Sequence, residues 1–166
     1  GMRGVSGRKN GFVLVEVLIA SLVLAVVFGA ALLLYQRGVV SWMRTRDRVE
    51  VQENLRLGLD RMSRELRGAL YLVEAKPDSV MFFSSDEKYI SYYVRYSDTA
   101  KCYQLLRGVS GTANPVASYV TALEITYEPA ETADPKKITF VHIRLTGEKD
   151  RSGTVTMSTG VRLRSV

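Results

Sequence analysis

The chain has 166 residues, 46% of them hydrophobic, and carries 23 Lys and Arg against 17 Asp and Glu, a formal charge of +6. That length suits one modest globular domain plus a helix rather than several domains. A single cysteine, Cys102, excludes an internal disulfide framework. Arg3, Arg8 and Lys9 precede the first apolar run, and the 20 bases and 17 acids left after them, about +3, exclude reading nucleic-acid binding from net charge.

The first element in chain order is a short polar head, Gly7-Arg8-Lys9-Asn10-Gly11. It is followed by Phe12 to Tyr35, 24 residues in which Glu16 is the only Asp, Glu, Lys, Arg or His. At about 1.5 Å per residue this run makes roughly 36 Å of helix, enough to cross a hydrocarbon core of about 30 Å. A carboxylate inside such a span costs about 2.5–3.5 kcal/mol on insertion scales, so an intramembrane Glu is a functional candidate. Basic residues ahead of the span hold the head in the cytoplasm and export the rest.

The string Gly11-Phe12-Val13-Leu14-Val15-Glu16, after a basic leader and before an uninterrupted apolar span, resembles the class III signal of type IV prepilins and pseudopilins. The resemblance implies cleavage by a prepilin peptidase between Gly11 and Phe12, N-methylation of Phe12, and Glu16 as the fifth residue of the processed chain. It also implies that Glu16 pairs with the new amine of a neighbouring subunit, which compensates burial of the carboxylate. One rival reading is an ordinary signal anchor with a stray Glu. A secretory signal peptide is a poorer rival, because its apolar region should end within about 7–15 residues at a small-residue cleavage site. Here apolar residues continue through Ala30, Ala31, Leu32, Leu33 and Leu34.

No proline precedes Pro77, so the helix need not stop at the membrane. Val51, Leu55, Leu59, Met62, Leu66, Ala69 and Val73 recur every three or four residues, one apolar stripe of an amphipathic helix. Arg44, Arg46, Arg48, Arg56, Arg61, Arg64 and Arg67 alternate with Asp47, Glu50, Glu53, Asp60 and Glu65 on the other faces. Asp60 with Arg64, and Glu53 with Arg56, stand at helical contact spacing. Gly38 and Gly58 each cost about 1 kcal/mol of helix propensity relative to Ala and are expected to be bending points.

Beyond Lys76-Pro77-Asp78 the period becomes two. Val80 to Phe83, Tyr89 to Tyr96, Lys101 to Leu106, Ser118 to Tyr127, Lys136 to Leu145 and Thr154 to Leu163 read as strands. Leu123, Ile125 and Tyr127 alternate with Glu124, Thr126 and Glu128, the pattern of an antiparallel sheet with one packed face. Breakers fall at Ser84 to Asp86, Ser97-Asp98, Gly108 to Pro115, Pro129 to Pro135 and Gly147 to Gly153. The expected organisation is a leader, 1–11; a membrane or filament-core helix, 12–35; its amphipathic continuation, 36–73; and a sheet domain, 77–166. The fold class is α+β, with the second half of the helix covering an antiparallel sheet.

A long N-terminal helix on an antiparallel sheet is also the architecture of pilins. Gln52-Glu53-Asn54-Leu55-Arg56-Leu57 and Leu59-Asp60-Arg61-Met62-Ser63-Arg64-Glu65-Leu66-Arg67 resemble PilW-type minor pilins and J-type pseudopilins over about 25 residues. Major pilins commonly have a proline in the membrane half and a C-terminal cysteine pair. This chain has neither, which favours a minor subunit.

Catalytic candidates are weak. His142 has no His or Cys partner at metal spacing and reads as structural. Cys102 reads as a buried strand thiol. Gly108-Val109-Ser110-Gly111 lacks the Gly-Lys-Ser/Thr ending of a phosphate loop. Tyr89, Tyr92, Tyr93, Tyr96 and Tyr103 could stack on nucleic acid or sugar, but Tyr is also a common strand residue. Neither catalysis nor a metal or cofactor is expected.

Two functions from different classes remain. The first is a structural subunit of a type IV pilus or type II secretion-like filament, inserted in the inner membrane with its C-terminal domain outside the cytoplasm, then processed and assembled. Its partners would be other pilin or pseudopilin subunits, the prepilin peptidase, the inner-membrane assembly platform and membrane lipid, with nucleic acid not expected. The second is a membrane-anchored binding protein, an adhesin or DNA-uptake receptor. Cleavage after Gly11 separates them. Pilus, secretion and competence machines are not distinguished by these residues.

Overall fold

The computed structural model describes residues 6–130 and 134–164, with side chains from Gly11 onward. The expected leader therefore falls partly outside the described residues, as do 131–133 of the expected Pro129–Pro135 connection. Among the described residues a long helix, α1 (Ser6–Arg67), precedes eight strands. These are β1 (Ala69–Ala75), β2 (Val80–Ser84), β3 (Tyr89–Ser97), β4 (Cys102–Val109), β5 (Thr112–Ser118), β6 (Val120–Glu128), β7 (Phe140–Gly147) and β8 (Val155–Arg162). A single 3-10 turn, η1 (Pro135–Lys137), lies between β6 and β7. The fold is α+β, with α1 packing on antiparallel sheets.

The chain divides into two compact units, Gly1–Met43 and Arg44–Val166. In the first, every side chain from Gly11 to Gly38 on α1 is exposed. In the second, the predicted stripe is the centre of the core: Val51, Leu55, Leu59, Met62 and Leu66 are all buried. They meet Phe82, Tyr92, Leu105, Ile125, Ile143, Leu145 and Val161 from the strands. Each large apolar side chain so buried contributes about 1.5–3 kcal/mol.

The helix ends six residues before the expected limit. Arg67 is its last residue, and Ala69 and Val73 belong to β1. The misreading has a physical cause. Pairing of β1 with β2 slips between Ala69 and Tyr71 and again between Leu72 and Glu74. Each slip inserts a residue, so the inward positions become Ala69, Leu72 and Ala75 instead of alternating. Ala69 and Leu72 stand three apart as on a helix face, whereas Val73, expected on the stripe, is not part of the core.

The second correction concerns the sheet, which is double: β1-β2-β3-β4-β5, and β6-β7-β8. The expected strand Ser118 to Tyr127 is cut at Tyr119, whose φ of +62° turns the chain between β5 and β6. The expected loop Gly108 to Pro115 is mostly strand. Ser110 and Gly111 both have positive φ (49° and 89°), as a two-residue primed hairpin turn requires. Pro115 is tolerated because β5 is an edge strand.

Gly58 is a point of close contact between α1 and the sheets. A Cβ there would stand 2.9 Å from Leu105 Cδ2, 3.1 Å from Leu145 Cδ1 and 3.6 Å from Ala117 Cβ. These three residues come from β4, β7 and β5, so the missing side chain lets α1 approach both sheets at once. Polar ties frame the same surface. Asn54 Oδ1 accepts from the Ser118 N–H at 3.0 Å, Lys149 pairs with Glu50, and Arg48 donates to the Ser152 carbonyl at 3.4 Å.

Candidate functional site: the N-terminal segment of the helix

α1 passes without interruption through Gly11, Phe12 and Glu16. Phe12 and Glu16 are four residues apart and therefore share a helix face, about one turn from each other. Phe12 is 81% exposed and Glu16 is exposed as well. The apolar side chains that follow, from Val13 to Tyr35, are exposed too. By length and composition α1 is able to cross a membrane. Within the span Ser21 Oγ donates to the Val17 carbonyl at 2.8 Å, which satisfies the hydroxyl inside the helix itself.

Nothing lies within 4 Å of where a Cβ would sit at Gly11, Gly29 or Gly38. Packing in the described fold thus gives no reason for glycine at position 11, where it costs about 1 kcal/mol relative to Ala. The segment brings together one carboxylate, three aromatic residues (Phe12, Phe28 and Tyr35) and a sheath of aliphatic side chains. Such a surface suits an apolar environment, where a charged carboxylate such as that of Glu16 is costly.

The other residues singled out from sequence have structural surroundings. His142 is exposed on β7, with Nε2 3.1 Å from Glu128 Oε1 and its ring 4.6 Å from that of Phe140. Cys102 is half-buried at the first position of β4, not enclosed as expected. Gly108 lies within β4, where a Cβ would meet Ser91 Oγ at 2.6 Å. Tyr89, Tyr96 and Tyr103 are about half exposed, whereas Tyr92 is buried. No group of three or more His, Cys, Asp or Glu among the described residues is placed to hold a metal ion.

Glu65 was legible only as one of the interleaved acids. It is instead the centre of a cluster that binds α1 to β3 and β4. Arg107 Nε and Nη2 donate to its two oxygens at 2.7 and 2.8 Å, Tyr92 donates its hydroxyl, and Arg61 approaches at 3.4 Å. Arg61–Glu65 is the i,i+4 ion pair on this face, in place of the expected Asp60–Arg64 and Glu53–Arg56. Burial pushes the Glu65 carboxyl up, but the hydrogen bonds from Arg107 and Tyr92 outweigh it and hold the group below its ordinary value. Burial and the bond to Glu65 raise Tyr92, so its hydroxyl stays protonated and donates. Only one member, Arg61, could have been paired with Glu65 from spacing.

Compared with protein-family models, with curated proteins and with solved structures, the chain gives no significant match to any of them. What is defined directly is a class: an α+β protein with one candidate membrane-spanning helix near its N-terminus, compatible with a single-pass membrane protein.

Proposed function

We propose that this chain is a minor pilin or pseudopilin, a structural subunit that enters the inner membrane, is cut after Gly11 by a prepilin peptidase and joins a helical filament. The observation that carries the reading is Gly11-Phe12, with Glu16 one turn later, at the head of an exposed apolar helix half whose continuation packs on its own sheets. Exposed aliphatic side chains need lipid before assembly and neighbouring helices after it. Slippage of one subunit along another leaves Glu16 and a neighbour's Phe12 amine both unpaired in a low-dielectric core, at a cost of about several kcal/mol. The ion pair therefore sets axial register. Exported domains face outward, and no catalytic step is required of them.

Intact-mass analysis of membrane-extracted protein, coexpressed with a prepilin peptidase, tests the reading. The expected mass begins at Phe12 and carries one added methyl. Retention of Met2 to Gly11, or a cut beyond Ala30, rejects it in favour of a plain anchor or a secreted domain.

A further inference from the structure

The outer surface of the five-stranded sheet carries a row of aromatic rings beside a basic cleft. Tyr71 of β1, Phe83 of β2 and Tyr89 of β3 form a ladder of rings, with centroids 5.4 and 5.0 Å apart. Beside Tyr71 lies a cleft of about 630 Å³, lined by Leu70, Tyr71, Ile138 and Leu163 and by the cations Lys136, Lys137 and Arg164. All three cations are exposed, and no carboxylate lines the cleft among the described residues. Asp134, two residues before Lys136, turns its carboxylate onto the Lys136 N–H at 3.0 Å and caps η1. Lys136 Nζ sits 4.9 Å from the centre of the Tyr71 ring. Tyr71 therefore has Phe83 on one neighbouring side and a displaceable ammonium as a second ring contact.

We propose that this cleft binds single-stranded nucleic acid, with Lys136, Lys137 and Arg164 holding phosphates and Tyr71 receiving a base. Three cations over an apolar floor attract a polyanion that also has an apolar surface. Cation–π contacts at exposed sites are weak, so a phosphate draws Lys136 away and a base takes its place on Tyr71. The cleft is of small-ligand size and takes about one or two nucleotides, whereas a duplex hides its base faces. An acidic polysaccharide satisfies the cations but has no aromatic face for Tyr71. All the residues that line the cleft belong to the second unit, so cleavage after Gly11 removes none of them.

The test uses the full chain in nanodiscs of zwitterionic lipid and the anisotropy of fluorescein-labelled dT12. Binding should weaken as log K against log salt with a slope of about −2, for three phosphate contacts at about −0.7 each. Lys136→Gln with Lys137→Gln should reduce affinity at least tenfold. Tyr71→Leu should reduce dT12 affinity at least fivefold and leave the weaker binding of polyglutamate unchanged. Arg44→Gln with Arg56→Gln, on α1, should have little effect. The proposal is overturned if dT12 does not bind, if a duplex of equal length or polyglutamate binds as tightly, or if Tyr71→Leu is silent. It is overturned equally if the α1 arginines carry the binding.

Discussion

Glu65 on α1 and Arg107 on β4 form a two-point ion pair across 42 residues of chain, at 2.7 and 2.8 Å. Both side chains are about one-fifth exposed, 19% and 23%. The fork geometry fixes the rotation of α1 over the five-stranded sheet, because two parallel bonds form at one orientation only. Tyr92 adds a third donor to the same carboxylate from β3.

Removing Arg107 should therefore cost more than a surface ion pair. Arg107→Ala leaves a half-buried carboxylate with both guanidinium hydrogen bonds lost, and should destabilise the domain by about 1.5–3 kcal/mol. Partial exposure keeps this below the cost at a fully buried pair. Denaturant melts of Arg107→Ala, Glu65→Gln and the double variant give the coupling. A coupling near zero would show that solvent replaces the pair.

Acid should loosen the same lock. Glu65 titrates in the folded chain below its ordinary 4.5, so its stabilisation is fully present above that pH. It is lost as pH falls through the folded value, when the carboxyl protonates and Arg107 loses its partner. Melts between pH 3 and 7 should show stability falling below about 4.5, with a shallower fall in Glu65→Gln. Parallel curves for the two proteins would assign the acid sensitivity to other carboxylates.

Gly58 should tolerate little. Gly58→Ala gains about 1 kcal/mol of helix propensity but presses on Leu105 Cδ2 at 2.9 Å, so it should be close to neutral. Gly58→Val adds two methyls against Leu105, Leu145 and Ala117 and should destabilise by about 1–3 kcal/mol. A stabilising Gly58→Val would mean that α1 stands further from the sheets.

A fragment beginning near Trp42 should fold without the apolar segment and melt cooperatively, since the second unit contains the whole described core. Leu59→Asp or Leu66→Asp should abolish that transition by placing a carboxylate against the strands. Circular dichroism against temperature reads both outcomes. A silent Leu66→Asp would contradict its burial.

Glu16→Leu should leave membrane level and processing intact while filament incorporation falls. Replacing Gly11 with a bulky residue should leave the leader attached. Immunoblots of membrane and sheared-filament fractions separate the two effects. Normal incorporation of Glu16→Leu would remove the ion pair from the account of this subunit.

Much of this architecture is local and was readable from residue order. Apolar residues at spacings of three and four place Val51 to Leu66 on one face, whatever that face meets, because α-helical geometry depends on neighbours in sequence. Period two did the same for Leu123 and Ile125 against Glu124 and Thr126. The composition of Phe12 to Tyr35 likewise marks a membrane-competent helix without reference to any partner.

What required the tertiary structure depends on residues far apart in sequence. Register slips in β1 are set by pairing with β2, and they put Leu72 in the core rather than Val73. The division into two sheets turns on one positive φ at Tyr119, a residue with no sequence preference for it. Gly58 is spaced like any helix glycine until Leu105, Leu145 and Ala117 close over it. Glu65 is one acid among several until Arg107 arrives from 42 residues away. Short-range sterics and periodicity act along the chain and are written in residue order; close approach and charge pairing act across it, and exist only once the strands and helix have met.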